Sequence, residues 1–340
     1  MNVLVLSDRH HLLPFARKLT NEGHTVATVV FESKKAKYER AYAGVIDLVT
    51  DSKDSSRIET IGQLKTLAAS GDTAVISDSP RASKDFSTAQ TIFSRLPQDD
   101  KPLGPLRLGA WFDGESFHVE HLLIFDEGTQ AGGLGSPQPG AVTLAQPSTG
   151  ESSEALLKLV DHQRSELQEL GFRGLAQWGL DYGLDGALSL GFGRLLGWPP
   201  LHSHAFLSEL GDFGGLLSGQ PPVLGKKFAV AVHVTQAPWP YHTGQPVKEC
   251  PIDIPDSAQR QFFWHDIRVD QEARELRTAG LDGWVGVAHS GANSFELALS
   301  KALDAAAMLQ IREKQYRTDA GSAVRRALGL LENQSGLTFG

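Results

Sequence analysis

Four places along the chain gather side chains able to bind or move charge. The first is Asp8-Arg9-His10-His11, which follows the apolar run VLVL (3–6) and precedes LLPFARKLTNEG (12–23). A strand ending at Leu6 and a helix starting near Leu12 would set these residues at the C-terminal edge of a sheet, beside the positive end of a helix. There Arg9 could grip a phosphate through two N–H groups and His11 could donate a ring hydrogen bond. The alternative is a solvated loop. The glycine fingerprint of dinucleotide folds is missing, which argues against NAD or FAD. The second place holds His202 and His204, with His118 or His121. Spacing of i,i+2 on a strand would put two rings on one face as metal ligands; loop histidines without metal are the other reading, and no HExxH motif is present. At the third, Trp264-His265-Asp266, His265 offers a general base. No Ser or Cys nucleophile supports it, so structural or substrate hydrogen bonding is the alternative. The fourth is GVAHSG (286–291), with His289, followed by a helix and then QYRTDAG (315–321). Arg317 and Asp319 beside Gly321 either lock a turn by a salt bridge or leave Arg317 facing a phosphate.

The elements that must position these groups follow from hydrophobic periodicity. Residues 3–6, the helix ending at Gly23, HTVATVV (24–30), VIDLV (45–49), a helical pattern over 58–69 and TAVIS (73–77) alternate strand with helix. That alternation predicts a parallel sheet covered by helices, with ligands beyond the strands' C-terminal ends. The polar, Pro-containing stretch 94–102 reads as a linker. Beyond it, RLGAWFDG and SFHVEHLLIF predict a hairpin turning at Asp113-Gly114. Residues 126–150, rich in Gly, Pro, Ser and Thr, read as one long surface loop. Residues 152–171 read as an amphipathic helix with Leu156, Leu157, Val160 and Leu167 on one face, stopped by Gly171. Residues 174–193 read as two short strands around Asp185-Gly186, followed by a loop at GWPPLHSH. FAVAVHVTQ (228–236) reads as a strand, APWPYHTG as turns, and 292–311 as the longest helix.

Composition bounds the function. The 340 residues are 41% hydrophobic, enough for two or three packed units. Lys and Arg number 32 against 40 Asp and Glu, a net charge of -8 with no long basic run, so direct nucleic-acid binding is not expected. Cys250 is the single cysteine, which rules out an intrachain disulfide and a Cys-rich zinc site and reads as an inert thiol in a reducing compartment. The N-terminus reads as a first strand rather than a signal peptide, and no apolar stretch approaches membrane-spanning length. A cytoplasmic location without membrane contact is the expectation.

In separated blocks the chain resembles glycinamide ribonucleotide synthetase (phosphoribosylamine-glycine ligase), an ATP-grasp ligase. VLVLSDRHHLLPFARKL is similar to that family's first strand and Arg-x-His turn, with Arg9 and His11 on the Arg and His. RASKDF (81–86) resembles the exit from its first domain. DEGTQAGGLGSPQPG (126–140) resembles its Asn-Thr-Gly-Gly-Met-Gly loop, retaining Gly132, Gly133 and Gly135 with Leu134 for Met. GFRGLAQWGL (171–180) resembles the strand before its metal-binding strand, QAPWP (236–240) takes the place of its substrate-holding Ser-Gly-Gly-Tyr-Pro turn, and 284–321 resembles its closing domain. The resemblance implies an α/β N-terminal domain with a parallel sheet (1–95), then a truncated ATP-grasp-like α+β body (103–225), and the rest of that body with a ligase-type C-terminal domain (226–340). Arg9, His11, Trp239, His289 and Arg317 become candidate contacts for a small phosphorylated ligand, and Gly132, Gly133 and Lys226 candidate cofactor contacts.

Two departures stand beside these matches. RASKDF and RLGAWFDG lie too close for the lobe whose lysine covers the nucleotide phosphates in the family. The family's Glu-Phe-Asn metal strand corresponds to SLGFGRLLGWPP (189–200), which has no carboxylate, although phosphoryl transfer needs a metal and positive charge. Lys226 and Lys227 could replace lost charge, and Asp181 and Asp185 lost metal ligands. The expectation is a divergent relative that binds a phosphorylated ribose or nucleotide-like ligand, with no metal site of its own. ATP and Mg²⁺ enter only if carboxylate-amine ligase activity survives. A partner-binding protein, using the loops 187–200 and 212–224 as interface in an oligomer or complex, is the third reading.

Overall fold

A computed structural model describes residues 1–7, 12–30, 48–50, 66, 73–77, 91–93, 103–136, 138–183, 186–198, 201–241 and 247–339. The chain opens with β1 (Asn2–Ser7), α1 (Leu13–Asn21), β2 (Thr25–Val30), β3 (Leu48–Thr50), β4 (Thr73–Ser77) and β5 (Thr91–Phe93). Its sheet has the order β3-β2-β1-β4-β5, and every pairing is parallel. The central strand β1 is an unbroken apolar run from Val3 to Leu6, buried together with Ser7, as a strand covered on both faces must be. Helix α1 has a proline in its first turn, buries Leu13, Phe15, Ala16 and Leu19, and gives way at Gly23, where φ is +85°. The expected helix over 58–69 and the segment RASKDF lie outside the described residues.

The body follows with β6 (Leu106–Phe112), β7 (Phe117–Asp126), β8 (Ala141–Ala145), α2 (Gly150–Val160), α3 (Arg164–Glu169), β9 (Gly174–Tyr182) and β10 (Leu188–Leu196). Next come α4 (His202–Glu209), α5 (Phe213–Leu217), β11 (Phe228–Gln236), α6 (Asp256–Gln259), β12 (Phe262–Trp264), β13 (Ile267–Asp270) and β14 (Glu275–Thr278). The chain finishes with β15 (Gly286–Ala292), α7 (Phe295–Met308), β16 (Lys314–Gln315) and α8 (Ser322–Gln334). The large sheet runs β10-β9-β6-β7-β8-β11-β15-β12 with antiparallel neighbours, β16 pairs with the end of β11, and β13 and β14 form a separate hairpin.

Each face of this sheet has its own core. One face packs Phe112, Leu122, Ile124 and Val230 against Leu156 of α2, Phe295 of α7 and Leu328 of α8. The other packs Trp111, Leu144, Ala231 and Val287 against α4, α5 and the N-terminal sheet with α1. Phe15 of α1 ties that second layer together, its ring centroid 5.2 Å from Trp198, 5.9 Å from His204 and 6.1 Å from Phe213. The parallel sheet and the body therefore share one apolar seam.

The α/β start, the hairpin, β11 and α7 match the sequence reading; four details differ. Residues 141–145, read as part of a loop, form β8, a fully buried strand between β7 and β11. Four apolar residues around Thr143, amid Gly, Pro and Ser, gave too short a signal to outweigh the turn residues around them. The helix over 152–171 is two helices broken by a 3-10 turn at Asp161–Gln163. The loop 187–200 is largely β10, and 212–224 contains α5, whose Asp212 caps Gly215 N–H at 2.8 Å. His202 and His204 stand in the first turn of α4 rather than in a strand or loop, because Leu201 takes φ +60° and its N–H donates to His204 Nδ1 at 3.2 Å.

Because Phe15 bridges the two units, Phe15→Ala should cost about 3–5 kcal/mol of stability. Urea unfolding followed by both near-UV and far-UV circular dichroism should still give one coincident transition at a lower midpoint. Two separated transitions would contradict the shared seam.

Candidate functional site

The outer stripe of α1, at Pro14, Arg17, Lys18, Asn21 and Glu22, faces the body instead of solvent. Opposite it stand Gln259 and Arg260 at the C-terminal end of α6, the strand β12, and His289 of β15, enclosing a cleft of about 390 Å³. That volume lies in the range of small-molecule sites. The cleft is aromatic on one wall: Phe263 stacks on His289 at 4.3 Å, and Phe262 on Trp264 at 4.7 Å. The lining also carries Arg17 and Lys18 from α1 and Arg260 from across the cleft, against a single carboxylate, Glu22. Lys18 is held in place, donating to the Leu210 carbonyl at 3.2 Å and lying 3.4 Å from Glu22. His289 is partly exposed, and desolvation with the charge of Lys18 keeps its pKa below the ordinary histidine value. It therefore meets a ligand as a neutral ring. Positive charge beside a stacked aromatic wall suits an anion attached to a ring.

Behind the cleft lies a seam of buried imidazoles. His121 Nδ1 donates to the Val119 carbonyl at 2.6 Å, so its Nε2 is the acceptor in the 2.8 Å contact with His202 Nε2. His204 Nδ1 accepts from Leu201, so its Nε2–H points at His265 Nε2, 2.9 Å away. Gly109 makes room for the first pair, since a Cβ there would fall 2.3 Å from His121 Nε2. Trp284 stacks on His265 at 3.8 Å and meets His233 edge-on at 5.0 Å. Desolvation lowers the pKa of His121 to about 4, of His233 to about 3, and of His202 well below its usual value. Asp266, fully buried beside His265, accepts N–H bonds from Leu281, Asp282 and Gly283 at 2.9–3.2 Å. These contacts fix the seam, and His265 is sealed from any substrate. Among the described residues no three His, Cys, Asp or Glu side chains converge as a metal site.

The other candidates occupy separate places. Arg317 is 3% exposed; Nε donates to Asp319 at 2.8 Å, Nη1 to the carbonyls of Glu127 and Gly128, and Nη2 lies 3.9 Å from Asp126. Gly132 N–H donates to the other oxygen of Asp319 at 2.7 Å, and Gly321 N–H to Asp126 at 2.8 Å. The glycine-rich loop is thus wrapped round Arg317 and pinned by the chain's own carboxylates. Gly132 and Gly133, both at positive φ, are exposed at its tip. Lys226 is exposed before β11. Trp239 packs edge-on to His233 at 5.7 Å. Arg9 and His11 lie outside the described residues. Of the sequence-derived contacts among the described residues, His289 alone lines the cleft. Arg17, Lys18 and Arg260 were missed, since a polar stripe on a helix signals only that it faces away from its own sheet.

The strand β10, where the resemblance expects metal carboxylates, has Arg194 joined to Glu166 by two bonds of 2.6 and 2.7 Å. In the chain, β5 ends at Phe93 and β6 starts at Leu106. The entering chain lies across β9, for a Cβ on Gly179 would sit 2.6 Å from the Leu103 carbonyl oxygen.

Neither a protein-family model nor a curated protein matches this sequence. Solved structures do match. A phosphoribosylamine–glycine ligase from Thermotoga maritima superposes with a TM-score of 0.62 at 14% identity, covering 94% of this chain and 100% of that one. The chain has an ATP-grasp-like fold. The biotin carboxylase subunit of pyruvate carboxylase follows with a TM-score of 0.56 at 9% identity, over 98% of this chain and 94% of that one. A biotin carboxylase from Campylobacter jejuni in complex with β-γ-ATP has a TM-score of 0.52 at 10% identity, over 93% and 92%. At such identities the likeness fixes architecture, a parallel α/β start followed by a large antiparallel body. It leaves substrate open.

The seam makes stability depend on pH with a definite sign. His121, His202 and His233 stay neutral in the fold but take up protons near pH 6.5 when unfolded. Their contribution is complete above that value and is lost as pH falls from about 6.5 toward 4, by about 1.4 kcal/mol per pH unit for each group. Urea midpoints should fall steadily between pH 7 and 5. The double variant H121L/H202L should flatten that slope; an unchanged slope would refute the neutral-pair assignment.

Proposed function

We propose that this chain is a divergent phosphoribosylamine-glycine-ligase-like protein that binds a phosphorylated ribose or nucleotide-like ligand in the cleft between α1 and the β12–β15 edge. The observation that carries this reading is the lining of that cleft: Arg17, Lys18 and Arg260 supply charge for a phosphate, and the Phe263–His289 stack supplies a flat apolar wall. His289 can add one neutral hydrogen bond.

The proposal also holds that the ATP-dependent step is lost or altered. Where the resemblance places a Mg²⁺–ATP clamp, the residues do not fit one. Arg194 is already neutralised by Glu166, Gly191 and Gly193 contribute no ligand, and the Leu103 carbonyl lies over β9. Residues 94–105 are too few to form a phosphate-covering lobe. The ligase fold itself favours the second reading, an active carboxylate-amine ligase. That reading requires amino-acid-dependent release of ADP and phosphate in the presence of Mg²⁺.

Ribose 5-phosphate and AMP are the direct probes. At a hundredfold excess over the dissociation constant either should stabilise the protein by about 2.7 kcal/mol, read as a rise in melting temperature. Arg17→Ala and Arg260→Ala should each weaken binding about tenfold or more, with each variant's ligand-induced rise read against its own melting temperature. Absence of stabilisation or binding heat with both ligands would sink the proposal, and amino-acid-dependent ADP release would replace it with the ligase.

A further inference from the structure

A second cavity, of about 410 Å³, opens between α3 and the edge strand β10, with Trp178 of β9 in its wall. It lies on the sheet face that packs against α2 and α3, away from the α1 cleft. The register of β10 on β9 shifts between Leu190 and Arg194, and Gly191 and Gly193 fall inside this bulge and line the space. A bulge re-aims backbone away from the regular ladder, and two glycines there add no side chain to fill what it opens.

The polar groups around the cavity are held in order. Arg194 Nη1 donates to Gln163 at 2.9 Å and to Glu166 at 2.7 Å, and its Nη2 donates to Glu166 at 2.6 Å. Gln163 in turn meets His162 Nε2 at 2.9 Å. The indole N–H of Trp178, in a residue 2% exposed, has no acceptor among the described residues. A buried donor without a partner is costly, and a ligand or water oxygen is the ordinary remedy.

Charge selects the ligand class. Arg194 and Glu166 cancel within the wall, so an anion would have to compete with Glu166 for the guanidinium and a cation with Arg194 for the carboxylate. A neutral molecule with several hydroxyls leaves that pair intact. Each hydroxyl both donates and accepts, which matches the free lone pairs of Glu166 and Gln163 and the N–H groups of the wall. We infer that this cavity binds a neutral polyhydroxylated molecule of monosaccharide size. The site is independent of the proposed phosphate cleft, so either can fail without the other.

The test uses the full chain labelled with ¹⁵N. Six tryptophans give six indole N–H signals, and the signal lost in Trp178→Phe belongs to Trp178. Glucose, galactose and ribose form the neutral arm; glycine and inorganic phosphate form the charged arm. A saturable shift of the Trp178 signal with at least one neutral sugar is expected, with the midpoint raised at least tenfold in Arg194→Ala and in Glu166→Gln. A signal that no sugar moves, a response to glycine or phosphate alone, or a midpoint unchanged in both variants overturns the inference. If Trp178→Phe does not fold, calorimetry on the wild type and the two partly exposed variants answers the same question with the same ligands.

Discussion

The 2.8 Å contact between His121 and His202, sealed from water, exists only while one ring gives a proton and the other receives it. The Val119 carbonyl decides which does which, and the Leu201 amide settles the same matter for His204 and His265. Both pairs hang from the first turn of α4, and this short helix sits between the body sheet and α1. A misplaced proton in either pair would bury a charge or set two donors face to face. The position of α4, hence of Leu207, Ser208 and Leu210 beside the cleft, rests on that bookkeeping of protons. Much of the second sheet face is apolar and would accept several packings, whereas the imidazole pairs accept one.

The glycine-rich loop illustrates a different use of charge. In an anion-binding loop, backbone N–H groups wait for a ligand; here Gly132 N–H is already spent on Asp319, and Arg317 on Asp319 and two carbonyls. The segment looks in sequence like a binding loop because turn geometry demands the same glycines whether the anion comes from a ligand or from the chain. The α1 cleft differs, since Arg17, Lys18 and Arg260 line an open space beside Phe263 and His289.

The sequence carried the fold well where an element was long and its pattern unbroken. β1, β11 and α7 show their type in their own residues, and the Asp113-Gly114 turn announces the β6–β7 hairpin, which Asp113 then braces through the amides of Glu115 and Ser116. β8 was hidden because its five residues owe their strand conformation to β7 and β11 on either side. His202 and His204 were misplaced because helix initiation at Leu201 uses a ring nitrogen, not one of the usual capping residues. The site was less legible. Arg17 and Arg260 are far apart in the chain, and only the packing of α1 against the β12 edge brings them to one cleft.

Gly179 lies beneath the carbonyl of Leu103, just before β6 opens the body. Residue size at that position and the length of the connection are therefore tied. A relative with a longer insertion between its first sheet and its body would lift the strap off β9 and release position 179 to carry a side chain. A relative as short as this one would have to keep it bare. The history of a lost or gained lobe would then be written in one residue that the lobe itself never contained.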